Sequence, residues 1–225
     1  IRDKLVTGVQ TCALPIYDGS LGTITKLDDL LKPAFKGKVT INGDPQGSSA
    51  GLNSIFMVNL ALGGTLDDVS PAVAWFKKLK QVGNFINVNP TEATIASGQT
   101  PVVMDNGYIA AGIAKTFAKA GKTWKMFTPA SLGSTYNSAI SAWAPHPACA
   151  RLWMEFTLGE EGAGIWAGGG ATPTLWIWMV KTKRAPAAGL AAIGNSKVAP
   201  LKATSDQSTK ARAYLKTAWP DAVGA

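Results

Sequence analysis

Gly43-Asp44-Pro45-Gln46-Gly47-Ser48-Ser49 joins a short apolar run, residues 39–42, to a helical pattern that continues to Leu62. The first turn of a helix leaves backbone amides without intrahelical acceptors, and these favour an anion or a carboxyl group. Ser48 and Ser49 place hydroxyl donors beside them, although either can serve as an ordinary helix cap. No Gly-Lys-Ser/Thr follows, so this is not a phosphate loop. A second constellation ends the apolar run 101–105: Asp105, then Asn106, Gly107 and Tyr108. A carboxylate there can take an amine, and the Tyr108 ring can stack on an organic cation. Asp105 can equally cap a helix that begins at Gly107. The third constellation is Gly133-Ser134-Thr135-Tyr136-Asn137. Its Tyr136 reads either as a ring turned toward a ligand or as a core tyrosine.

Other chemistry has little material. The single histidine, His146, sits between two prolines, and no nucleophile elbow occurs. An enzyme on an α/β scaffold therefore remains an alternative without an identifiable catalytic constellation. One His with no Cys or carboxylate cluster makes no zinc site, and no cofactor is implied. Of two cysteines, Cys149 lies in a helical pattern and reads as a small buried side chain. The net charge of +8 is uneven: residues 1–175 carry +2 and residues 176–225 carry +6. Those tail charges are dispersed and lack interleaved aromatics, which argues against a nucleic-acid partner. No apolar run reaches the ~18 residues of a membrane helix.

The order of the parts resembles the second lobe of bacterial extracytoplasmic solute-binding proteins, the ligand receptors of ABC importers, of the polyamine-like type II periplasmic kind. The matching segments are LDDLLKPAFKGKV, the Gly43–Pro45 turn, the ASGQ-PVV run before Asp105, and APHPACARLWMEFTLGEEG. The resemblance implies an α/β periplasmic-binding-protein-like fold, second lobe plus an incomplete part of the first. It implies a small organic solute held in an interlobe cleft and delivered to permease subunits, without catalysis. It places ligand contacts at Asp44, Ser48, Ser49, Asp105, Tyr108, Tyr136 and Asn137. Similar proteins often carry Asp-Trp-Asp-Tyr where this chain has Asp105-Asn106-Gly107-Tyr108, so one acid and one stacking wall are absent. The adjacent Tyr pair that ligates ferric ion in some relatives is also absent around Tyr136. The solute is thus expected to be zwitterionic or cationic rather than a metal. The resemblance further implies a periplasmic or extracellular location, with membrane attachment only through the permease or a lost lipid anchor.

Residues 6–16, VTGVQTCALPI, look like the translation of a sequencing adapter. They hold no charge and no helical or strand period. Residues 1–24 are therefore expected to be non-native or disordered, with Val9, Leu14 and Ile16 unburied and the signal sequence lost with a missing N-terminus. Residues 25–128 should form the α/β lobe. Residues 129–225 should form a return segment whose helices leave Trp153 and Trp166 exposed toward an absent first lobe.

Local signals place the elements. Thr25 with Asp28 suggests a helix start, ended at Pro33. Residues 38–42, 85–88, 101–105, 124–127 and 136–143 read as strands. Ser70-Pro71 opens a helix with an apolar stripe at Val73, Phe76 and Leu79. Thr91 caps a brief helix, and Gly121 ends an Ala-rich one. Gly159 splits two helices, Gly168–Gly170 is a hinge-like break, and residues 210–218 close the chain as a helix. The run TLWIWMV is left as a strand, a frame-shifted remnant or an exposed edge.

Overall fold

The computed structural model describes residues 6–11, 13–130, 132–195 and 200–224. The chain divides into two compact units: a smaller one, Ile1–Thr11 with Gly133–Pro200, and a larger one, Cys12–Leu132 with Leu201–Ala225. These boundaries differ from the expected breaks near residues 24 and 128. The chain opens with β1 (Val6–Thr11) in the smaller unit and β2 (Ala13–Asp18) in the larger.

The larger unit then runs β3 (Val39–Ile41), α1 (Ser49–Ala61), α2 (Ser70–Gln81), α3 (Glu92–Ser97), β4 (Val102–Asn106), α4 (Ala110–Lys119) and β5 (Trp124–Met126). Its sheet has the order β3-β4-β2-β5. β3 lies parallel to β4, while β2 lies antiparallel to both β4 and β5. Every residue of β4 is buried because helices cover both faces. Val102 and Met104 join the large core with Leu52, Ile55 and Phe56 of α1. Val103 turns the other way, to Ile16, Ile113 and Phe117.

Residues up to Gly19 were expected to pack poorly, and the structure corrects this for β2. Ile16 and Tyr17 are fully buried, and the Tyr17 hydroxyl accepts from the Ile24 amide at 3.1 Å. The side chains of Val9 and Leu14, and Cys12 altogether, lie outside the described residues. The first helical turn also differs by one residue. Asp29, not Asp28, accepts from the amides of Thr25 and Lys26. The Lys32 ammonium at 2.7 Å, with the Thr25 donors, holds its carboxyl well below the usual range. Residues 85–88 do not form a full strand; Phe85 makes one parallel bridge to Val39. Asn59, at the end of α1, is fully buried and fastens the turn into α2. Its Nδ2 donates to Thr65 O and Asp68 O, and its Oδ1 accepts from Ala72 N.

The smaller unit holds β6 (Ser134–Ser138), α5 (Pro147–Leu158), α6 (Glu160–Gly168), β7 (Thr172–Pro173), α7 (Trp176–Lys181) and α8 (Ala187–Ile193). Its sheet has the order β6-β1-β7. The strand expected over 136–143 is shorter and starts earlier. TLWIWMV is helical from its third residue on: Trp176 and Met179, one turn apart, pack on Ala163 and Ala167 of α6. Gly189 allows this, since a Cβ there would meet the Trp176 ring at 2.6 Å. Trp153 and Trp166 are exposed, 65% and 46%, as expected. Cys149 is exposed rather than buried. The last helix, α9 (Ser205–Val223), belongs to the larger unit and not with the return segment. Its Trp219 packs edge-on against Phe76 at 5.1 Å and Phe85 at 5.8 Å.

Candidate functional site

Parallel pairing of β3 with β4 brings their carboxyl ends together, and the polar residues that follow each strand meet there. Asn42 and Asp105 occupy neighbouring positions one step past Ile41 and Met104. Asn42 Nδ2 donates to Asp105 Oδ2 at 2.7 Å, and the Asn106 amide donates to Asp105 Oδ1 at 2.6 Å. Asp105 is 2% exposed. Burial pushes its carboxyl up to about 6, against the opposing pull of those two donors. No cation contributes to that balance. The next residue, Asn106, alternates to the α1 face, where its Oδ1 accepts from Asn53 Nδ2 at 3.1 Å.

The loop from β3 to α1 is closely determined. Gly43 adopts φ +79°, a left-handed conformation that suits glycine. Its amide donates to Asn89 Oδ1 at 3.0 Å. Asp44 folds the turn on itself: its Oδ1 accepts from the Gln46 amide, and its carbonyl accepts from Gly47 and Ser48. Ser48 is the cap of α1. Its hydroxyl accepts from Gly51 N at 3.2 Å and donates to Asn42 O at 3.1 Å. Ser48, Asn42 and Asp105 therefore form one hydrogen-bonded path across the two strand ends. The amides of Ser49 and Ala50, by contrast, have no acceptor among the described residues. Two open donors thus remain at a helix N-terminus a short distance along the loop from Asp44. A pocket of about 240 Å³ lies on the loop, lined by Gly43, Asp44, Pro45, Asn87, Asn89 and Trp219 among others.

The residues singled out in the sequence are thus partly gathered. Asp44, Ser48, Ser49 and Asp105 share the carboxyl ends of β3 and β4. Tyr108 follows β4 in a short 3-10 turn, Gly107–Ile109, and is half-buried. Asp44 and Ser49 are exposed. Asp105 does not present an open carboxylate, and it does not cap a helix at Gly107; it is buried at the strand end with both oxygens engaged. Tyr136 and Asn137 are exposed on β6 and belong to the smaller unit. Sequence reading missed Asn42, Asn53, Asn106 and Arg212. Arg212 Nη1, on α9, donates to Gln46 O at 2.8 Å and Pro45 O at 3.3 Å. Among the described residues, no group of three or more His, Cys, Asp or Glu is placed to hold a metal. No described helix is long and apolar enough to cross a membrane.

Compared with known proteins, residues 21–192 match the family described as bacterial extracellular solute-binding protein, which is more than half of the chain. No curated protein matches. Several solved structures share the fold. An ABC transporter protein from Clostridium perfringens superposes with a TM-score of 0.68 at 15% identity, over 96% of this chain and 68% of its own. The TpPotD lipoprotein of Treponema pallidum gives 0.66 at 13%, over 98% and 69%. A Trichodesmium protein in complex with iron and citrate gives 0.58 at 18%, over 98% and 70%. Such identities establish a common type II periplasmic-binding-protein architecture and carry no solute with them.

Proposed function

The chain belongs to the bacterial extracellular solute-binding protein family, and from that premise we propose that it binds a zwitterionic or cationic organic solute at the carboxyl ends of β3 and β4. Proteins of this family are the solute-binding components of ABC importers, act outside the cytoplasm, and work with a permease rather than as enzymes. The observation that carries the finer reading is a carboxyl buried without a cation, at Asp105, beside a helix start with two unsatisfied amides. The Ser49 and Ala50 amides suit a solute carboxyl or phosphoryl group. The Asp105 charge, held in low dielectric, makes the same corner attractive to an amine. Asp44 adds a solvent-facing carboxylate, and Tyr108 a ring that can stack on the solute.

The test is a thermal-shift panel of amino acids, betaines, polyamines, simple carboxylates and ferric ion, followed by calorimetry on the tightest hit. The expected hit carries an amine or quaternary ammonium. Asp105→Asn, which removes the buried charge, should weaken it by about 1–2 kcal/mol at pH 8, the attraction of two unit charges ~8–10 Å apart at an effective dielectric constant near 20. A tightest hit that is ferric ion, or an affinity indifferent to Asp105→Asn, would show the reading to be wrong.

A further inference from the structure

We propose that Arg212 is a positioning residue for the solute loop, so that the C-terminal helix α9 sets the geometry of residues 43–50. The inference rests on the solute-binding role given above to this loop. Arg212 reaches the loop from 166 residues away in sequence and spends its Nη1 on two backbone carbonyls, Gln46 O and Pro45 O. Neither carbonyl accepts from a backbone amide among the described residues. Arg212 makes none of the ion pairs of the described residues, which join Lys32 to Asp29, Lys122 to Asp18 and Arg184 to Glu160. A half-buried guanidinium with no carboxylate partner, aimed at a turn, is better explained by the turn than by surface charge pairing.

The opposite side of the loop is closed by absence of a side chain. A Cβ on Gly51 would stand 2.5 Å from Gly43 O and 2.8 Å from Pro45 N, so the loop presses directly on the first turn of α1. With Asn89 holding the Gly43 amide, the loop is fixed from three elements: α1, the segment after Phe85, and α9. Of the three, the α9 contact comes from furthest along the chain and can be removed without disturbing the core. Leu215 and Trp219 anchor α9 independently in the hydrophobic cluster, and Gln207 Nε2 bonds Asp67 Oδ1 at 3.0 Å near its start. Fixing the turn keeps the Ser49 and Ala50 amides aimed before a solute arrives, which reduces the ordering cost of binding.

The experiment is amide hydrogen exchange on the intact chain and on Arg212→Ala and Arg212→Lys, with no solute present. The Gly47 and Ser48 amides, both bonded to Asp44 O, report the loop; the Ala72 amide, bonded to Asn59 Oδ1, reports the rest of the same unit. Arg212→Ala should speed exchange at Gly47 and Ser48 by roughly tenfold, the factor for one hydrogen bond from a charged donor, with Ala72 unchanged. Arg212→Lys should recover part of the protection. Unchanged loop exchange in Arg212→Ala overturns the proposal. Equal acceleration at Ala72 also overturns it, since Arg212 would then be a general stability residue. Because this readout needs no solute, it fails separately from the solute assignment.

Discussion

Replacing Asp105 by Asn should make the protein more stable at pH 8 and leave it no more stable near pH 4. The carboxyl has an ordinary value of 3.8 in the unfolded chain and stands at about 6 in the fold, raised by burial. A carboxyl whose proton affinity rises on folding supports the fold while protonated. That support is complete below about pH 3.8, declines as pH climbs, and is gone above about 6. The interval corresponds to about 3 kcal/mol at roughly 1.36 kcal/mol per pH unit. Asn at 105 keeps an acceptor for the Asn106 amide and can pair with Asn42 after an amide rotation. The opposing pull of the two hydrogen bonds on the charged carboxyl is already contained in its value of about 6. Asn stands in for the neutral carboxyl, so the gain at pH 8 is up to about 3 kcal/mol, and near pH 4, where Asp105 is itself protonated in the fold, it is close to zero. Urea titrations at the two pH values, read by tryptophan fluorescence, measure this, since Trp75 and Trp219 are buried in the same unit. A variant that is less stable at pH 8, or whose stability change is the same at both pH values, would refute the burial argument. A stabilising substitution that also weakens solute binding is what a functional carboxylate in a costly environment should show.

Three further outcomes follow from the packing of the larger unit. Gly51→Ala, in a helix where alanine would ordinarily help, should instead destabilise by about 1–3 kcal/mol in denaturant titration, because its Cβ collides with Gly43 and Pro45. Asn59→Ala strands the Thr65 and Asp68 carbonyls and the Ala72 amide and should cost at least ~3 kcal/mol in the same assay. Tyr17→Phe leaves the buried Ile24 amide without its acceptor and should cost about 1–2 kcal/mol; an unchanged midpoint would mean that β2 is not part of the folded core.

The parts legible in the sequence were those with local chemistry. Ser48 at the cap of α1, Thr91 at the cap of α3 with Gly98 in the left-handed position behind it, and Pro71 in the first turn of α2 each announce a helix end through their own side chain or backbone preference. β2 was not legible for a physical reason. It lies between β4 and β5 and so shows no alternation, and Pro15 in a central strand ordinarily argues against one. Its register places Pro15 opposite Met104, while its carbonyl still accepts from Phe127 N at 3.0 Å. α9 runs past Ala218 and through Pro220, which gives up one backbone bond within the last turn. At the site, Asp105 and the Gly43–Ser49 turn stood out by residue type. The Asn42–Asp105 and Asn53–Asn106 pairs depend on strand register and helix docking, and Arg212 on a contact between the two ends of the chain, none of which a local pattern encodes.

A solute held at the β3–α1 loop must touch the open amides of that loop. A two-dimensional amide NMR titration of the protein with the tightest-binding solute of the panel tests it directly. Saturable shifts should concentrate at Asp44, Ser49 and Ala50, while Lys125 and Met126 on β5 stay in place. Saturable binding that leaves Ser49 and Ala50 unmoved and shifts resonances elsewhere would contradict it.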